Sequence, residues 1–387
     1  MIDEPLLQKL LRDLVAIDSV NSTLVPGARG EAAASEFLLE FLRGQGIDAE
    51  VYEAAPGRPN VVALIGAPLK SPAPPRPALA ILAHIDTVGA GDMPDPFTPA
   101  ERGGCLYGRG ALDIKSGVAA MCAAAISLVR ERTIFSRPLL LAAVVDEECN
   151  SIGTEALLKK FSAEAAVVLE PTDLNLVIAH KGYAWFEITT HGRAAHGSLP
   201  AEGRDAIRMM GRFLVALDGA EKAFSSPPPH PLLGHSSLHA SLISGGQEVS
   251  SYPAECRLQL ERRTLPGETD AQIEAQMRNL LENLRAEHPQ FQATLRAGGS
   301  RPSYEISREA PIARAAATAI RQVTGSVNFS GMAAWTDTAL LAAAGIPGVV
   351  FGPRGRGLHG AEEYVELDSV TACAEVLRRM ILSACCS

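Results

Sequence analysis

The sequence predicts an α/β protein with a mainly parallel central sheet, interrupted by a small α+β domain. Three observations predict it. In the first part, short apolar runs alternate with helical patterns and end in acids or histidine. Residues 78–83 run into His84-Ile85-Asp86, 138–145 into Asp146-Glu147-Glu148, and 165–169 into Glu170. From about Lys181 the texture changes to apolar–polar alternation in WFEITTHG, SLHASLIS, CRLQLERR and FQATLRA. Amphipathic helices at 205–217 and 270–287 complete the order strand, helix, strand, strand, helix, strand. Near Ala310 the first texture returns with a helix, TALLAAAGIPGVVFGPRG and His359. The expected division is a first domain of residues 1–180 and 298–387, with 181–297 inserted into it.

Taken in order, residues 4–17 place Leu6, Leu7, Leu10, Leu11 and Leu14 at helical spacing. After a loop with Pro26 and Gly27, a second helix is predicted over 30–43, with Phe37, Leu38 and Phe41 inward and Gly44 as its stop. Residues 61–65 form a strand pattern. Five prolines between 68 and 77 impose an extended surface connection, and a second proline-rich loop covers 227–231. The stretch GGCLYGRGALDIKSGVAAMCAAAISLVRER passes from a glycine-rich loop into a long helix of small residues, suited to close packing on a sheet.

The 387 residues suffice for two or three cores, and 47% hydrophobic with 20% charged residues is an ordinary globular composition. The opening MIDEPLLQKLLRDL is an amphipathic helix with acids first, unlike a secretory signal, and no apolar run is expected to span a membrane. A net charge of −9 argues against nucleic acid as a partner. Seven cysteines without CxxC spacing suit scattered thiols of a reducing compartment, so a cytoplasmic protein is expected.

His84 and Asp86 stand two apart at a strand end and therefore share a side, which suits an imidazole that binds metal and is held by a carboxylate. Alone, HxD is a weak signal. Its company is informative: the strand-end groups are His84, Asp86, Asp113, Glu147, Glu148, Glu170 and His359, and five of them, two imidazoles and three carboxylates, make a set for two divalent ions with one carboxylate shared. Nitrogen and oxygen donors without thiolate suit zinc and also accept cobalt or manganese.

The motifs AHIDTV, GRGALDIKSG, VVDEEC, LEPT and GLHGAEEYVEL resemble those of the co-catalytic metallopeptidases that include acetylornithine deacetylase, succinyl-diaminopimelate desuccinylase, aminoacylase and glutamate carboxypeptidase. The resemblance implies a zinc-peptidase-like catalytic domain and a ferredoxin-like lid and dimerisation domain. It makes His84 and Glu170 ligands of one metal, Glu148 and His359 ligands of the other, and Asp113 the bridge. Asp86 would orient His84, and Glu147 would be the general base. GRAAHGSLP resembles the loop whose histidine, here His196, reaches the partner subunit's site. LERRTLPGE resembles the family's arginine motif, which would place Arg263 to pair with a substrate carboxylate, with Glu261 where an aspartate is frequent. Segments 331–337 and 352–357 resemble loops that line the substrate pocket. Many members carry an asparagine where SSYP places Ser250, which changes a polar contact to substrate.

Lys115, Arg354 and Arg356 are expected to be solvated or structural. His180, His191, His230, His235, His239 and His288 are expected in the lid or at the surface. The implied function is a dimeric, metal-dependent amidohydrolase acting on an N-acyl amino acid. A dipeptidase or carboxypeptidase acting on short peptides is the alternative. A non-catalytic binding homologue would have lost a ligand or the base, and this chain retains all six groups.

Overall fold

The computed structural model describes residues 1–70, 75–224 and 228–386. The proline-rich connections are therefore described except at 71–74 and Pro227. The chain divides into two compact units. One comprises Met1–Ile178, Ile306–Ser330 and Thr336–Ser387; the other comprises Ala179–Glu305 and Gly331–Trp335. The second unit extends beyond residue 297 because strand Ala293–Arg301 continues pairing with Gly182–His191 through Ser300↔Ala184 and Arg301↔Tyr183.

In the first unit, four neighbouring strands are parallel: Leu139–Val144, Leu79–His84, Ala166–Leu169 and Gly348–Phe351. All four are buried throughout, as parallel strands covered on both faces must be. Arg58–Ile65 and Ala49–Ala55 extend one side antiparallel, and Leu176–His180 continues the other, so the sheet is parallel only at its centre. The carboxyl ends of three adjacent strands thus deliver His84, Asp146-Glu147-Glu148 and Glu170 side by side.

Helix Ser116–Arg130 is buried from Ser116 to Leu128, and its alanines and glycine allow close approach to the sheet. One sequence expectation is corrected here. Ala111–Arg130 is long and apolar enough to cross a membrane, with mean hydropathy 1.6, although 89% of that window is buried inside the protein. The opening helix is Glu4–Val15, capped by the Asp3 carboxylate accepting the Leu6 N–H at 3.1 Å. The second helix, Ala32–Gly44, buries Ala34, Ser35, Leu38 and Leu42. Phe37 and Phe41 instead stack on each other at its half-buried flank. Its stop is Gly46, at φ +79°, with Gly46 N–H to Arg43 and Ile47 N–H to Leu42 closing the end.

The second unit is a four-stranded antiparallel sheet in the order Ser237–Gly245, Glu255–Thr264, Gly182–His191, Ala293–Arg301. With helices Ala206–Phe224 and Asp270–Glu287 this is the ferredoxin-like arrangement. Phe186, Ile188, Phe213, Leu258, Leu260 and Met277 fill its core. Ser237–Gly245 departs from the expected half-buried alternation: only Leu238 is buried, and Leu242 and Ile243 are exposed. It is the edge strand, and an irregularity between Ala240 and Leu242 breaks its register.

Candidate metal centre

His84 ends a buried strand, and its Nδ1 lies 3.0 Å from the Asp86 main-chain carbonyl. A carbonyl only accepts, so Nδ1 carries the proton and the Nε2 lone pair faces outward in the neutral ring. That Nε2 stands 3.2 Å from Asp113 Oδ1 and 3.9 Å from Glu170 Oε2. The other Asp113 oxygen, Oδ2, lies 3.3 Å from His359 Nε2, which is also 3.3 Å from Glu148 Oε2. Asp113 therefore sits between two imidazoles with one oxygen toward each. Ligand atoms of His84, Asp113 and Glu148, and those of His84, Glu147 and Glu170, lie within 4.8 Å of one another.

The local fold explains this convergence. Asp146 adopts φ +69°, a left-handed conformation that aspartate tolerates better than most residues, and it turns the chain sharply after the strand. The Asp86 carboxylate then accepts the N–H groups of Glu147 at 3.1 Å and Glu148 at 3.2 Å. Its oxygen is 3.6 Å from His84 Nδ1, beyond hydrogen-bond reach. Asp86 thus orients His84 through its carbonyl, while its carboxylate holds the two glutamates.

Beneath lies a buried polar network that motif reading missed. Asn21 Nδ2 donates to Asp86 at 2.8 Å and Asp146 at 3.0 Å, and Arg58 joins Asp146 to Glu31. The available signal was Arg58 and Asn60 interrupting an otherwise apolar strand.

A second support holds Asp113. The Glu363 carboxylate accepts from the N–H groups of Gly110, Leu112 and Asp113 and from Arg109 Nη1 at 2.6 Å. His359 itself adopts φ +59° in the turn after Gly357. Gly357 cannot carry a side chain, because a Cβ would lie 1.7 Å from the Glu362 carbonyl oxygen.

The electrostatics demand cations. Burial, then the charges of Glu170, Asp337 and Glu148, lifts the Glu147 carboxyl well above its usual range. Burial and neighbouring acids do the same to Glu170, and burial with Asp113 raises Glu148. Burial opposes a charge on His84, but Asp113, Glu170, Glu147 and Asp86 outweigh it and raise its pKa. Glu148 Oε1 and Glu170 Oε1 are buried without hydrogen-bond partners. Such orphaned oxygens, on carboxylates whose Oε2 atoms lie 3.3 and 3.9 Å from imidazole nitrogens, fit divalent cations, whose charge would replace the missing partners. Asp337 was not singled out within the 331–337 loop. It is buried beside these acids, and burial pushes it up to about 6 against hydrogen bonds from Thr154 and Ser151.

On the second unit, His196 is exposed, with Nδ1 2.8 Å from Ser198 Oγ. The Ser250 carbonyl accepts the Gly197 N–H at 2.7 Å, so Ser250 lies against the His196 loop. Arg263 donates through Nε to Glu261 at 2.6 Å. Lys115 is structural, buried and bonded to the Ile17 carbonyl, while Arg354 pairs with Glu366 and Arg356 with Asp173. His180 is not a surface residue. It is fully buried against Tyr304 and Trp335, and its Nδ1 donates to the Lys181 carbonyl.

The α/β sheet with its centre of carboxylates and imidazoles defines a metal-dependent hydrolase. Residues 80–383 match the model of peptidase family M20/M25/M40, and the chain belongs to that family. It is similar to an acetylornithine deacetylase of Myxococcus xanthus, 28% identical over 98% of each chain. It is also similar to an N-formyl-4-amino-5-aminomethyl-2-methylpyrimidine deformylase of Bacillus subtilis, at 26% identity over 94% of this chain and 92% of that protein. A tripeptidase structure from Staphylococcus aureus shares the fold with a TM-score of 0.81, at 21% identity over 99% of each chain. The protein is a metal-dependent hydrolase of C–N amide bonds.

Proposed function

We propose that the protein is a two-metal deacylase that releases the free amine and a carboxylate from an N-acyl amino acid, with zinc as the ion. The observation that carries this reading is Asp113, one oxygen toward His84 and the other toward His359. His84 and Glu170 would hold one ion, Glu148 and His359 the other, and Asp113 both. Bound there, the ions polarise the amide carbonyl and lower the pKa of water toward about 7.

The chain's own residues supply the proton chemistry. Glu147 takes the proton of the attacking water on its carboxylate and gives it to the departing amine nitrogen. Arg263 keeps both terminal nitrogens for a substrate carboxylate, because Glu261 occupies only Nε. His196 acts in the site of a partner subunit within a homodimer, where an imidazole stabilises the oxyanion of the tetrahedral intermediate. The exposed edge strand with Leu242 and Ile243 supports a two-fold pairing of second units. The thiols Cys122, Cys373 and Cys385, all buried and unpaired, support a cytoplasmic location.

The deacylase reading is preferred over a dipeptidase because the Myxococcus deacetylase matches along nearly the whole chain. Protein loaded with zinc, cobalt or manganese should release amine from N-acetyl amino acids faster than from matched dipeptides. Faster dipeptide cleavage would favour the peptidase, and no turnover of either with metal bound would overturn both.

A further inference from the structure

The second unit carries a strip of side chains on its open sheet face, opposite the helices. The protein has only two tryptophans, and both lie in this strip. Trp185 stacks on Tyr183 at 5.0 Å between ring centroids, and Trp335 meets Tyr183 edge-on at 6.4 Å. The next strand lays Arg263 opposite Tyr183 and Glu261 opposite Trp185.

Glu261 ties the strip together. One oxygen accepts Arg263 Nε at 2.6 Å, and the other accepts the Trp185 indole N–H at 2.8 Å. The guanidinium carbon lies 5.6 Å from the centre of the Tyr183 ring. Guanidinium and indole are thereby held by the two oxygens of one carboxylate, on diagonal positions of adjacent strands.

The far side of Trp185 opens into a cleft lined by Glu187, Gln259, Glu261, Arg296 and Gly298. Gly298 makes room for Trp185, because a Cβ there would stand 3.1 Å from Trp185 Cβ. Trp185 remains 47% exposed although its indole N–H is bonded and its ring stacked, so a large rigid apolar surface is held ready beside an anion anchor. Lys181, whose Nζ is held by the His235 carbonyl, adds a second positive charge whose field reaches Arg263.

We propose that this strip selects substrates whose carboxylate-bearing residue has an aromatic side chain, with the carboxylate on Arg263 and the ring against Trp185 in the cleft. The arrangement fits, because the carboxylate and ring of one aromatic amino acid are only a few bonds apart, as guanidinium and indole are across the single Glu261 carboxylate. Tyr183 lies against the guanidinium, Trp335 meets the Tyr183 ring edge-on, and offset ring contacts add to the area buried. The proposal rests on Arg263 being the carboxylate anchor.

Two readouts test it. In metal-loaded protein, kcat/KM for N-acetyl-L-phenylalanine should exceed that for N-acetyl-L-alanine by at least about tenfold. Trp185→Leu and, independently, Trp335→Leu should collapse that ratio, whereas Arg263→Ala should depress both substrates. In metal-loaded Glu147→Ala protein, tryptophan emission should change on adding N-acetyl-L-phenylalanine. It should not change at equal concentrations of N-acetyl-L-alanine or of N-acetyl-L-phenylalaninamide. Turnover with a ratio near one in the wild type, or unchanged in both tryptophan variants, would overturn the aromatic pocket and leave the deacylase standing. Absence of all turnover would count against the deacylase instead, and the emission experiment would then decide the pocket alone. An emission change that the amide also produces would remove Arg263 as its anchor and overturn the proposal.

Discussion

The Asp86 carboxylate accepts the main-chain N–H of Glu147 at 3.1 Å across 61 residues of sequence. It holds Glu148 in the same way, so a single buried acid fixes the turn that presents both glutamates. Asp86→Ala should therefore act on the Glu147-Glu148 turn as well as on His84. A loss of about 10–100-fold in metal affinity or kcat is expected, with the fold retained. Calorimetric metal titration and steady-state rates, with circular dichroism as the fold control, check it. Unchanged metal affinity and kcat would make Asp86 dispensable.

Glu363 holds Asp113 from the other direction. It and Arg109 are each 1% exposed, and the carboxylate serves three main-chain N–H groups besides the guanidinium. Glu363→Ala strands a buried charge and should cost about 3–5 kcal/mol of stability in urea unfolding. A loss under about 1 kcal/mol, the range of exposed ion pairs, would show that the pair is not buried in solution.

His180 predicts an acid sensitivity. Burial depresses its pKa from 6.5 to about 4. The unfolded chain thus binds a proton between those values that the folded chain refuses. Stability is fully present above about pH 6.5 and is lost as the pH falls through about 4. The interval of about 2.5 units corresponds to about 3 kcal/mol. His180→Phe should flatten the fall of melting temperature between pH 6.5 and 4 relative to wild type. An identical slope would place the ring in contact with water.

Mixing tests His196. Glu147→Ala and His196→Ala proteins should each be nearly inactive with metal bound. Unfolded together and reassembled in equal amounts, half the dimers are mixed and one of their two sites is complete, so activity should return to roughly a quarter of wild type. No recovery, with mixed dimers demonstrated, would put His196 outside a partner's site.

The centre was legible where chemistry sits at the end of a regular element. The runs before His84, Glu147 and Glu170 are apolar and short, so each strand and the acid or histidine ending it could be read directly. The supports were hidden because their partners are remote: Arg109 reaches Glu363 across 254 residues, and Asn21 reaches Asp146 across 125. Local pattern also misplaced Phe37 and Phe41, since helical period fixes a face but not its width. Alternation in 237–245 mistook an edge strand for a half-buried one, because burial there depends on whether a neighbour covers the edge.

The central claim is that Asp113 holds the ions while Glu147 moves the proton. Metal content by elemental analysis, measured beside turnover for Glu147→Ala and Asp113→Ala, tests it most directly. Glu147→Ala should retain two ions per chain and lose about 10²–10⁴-fold in kcat. Asp113→Ala should lose metal along with activity. A metal-free Glu147→Ala protein beside an Asp113→Ala protein that keeps both ions would contradict the assignment.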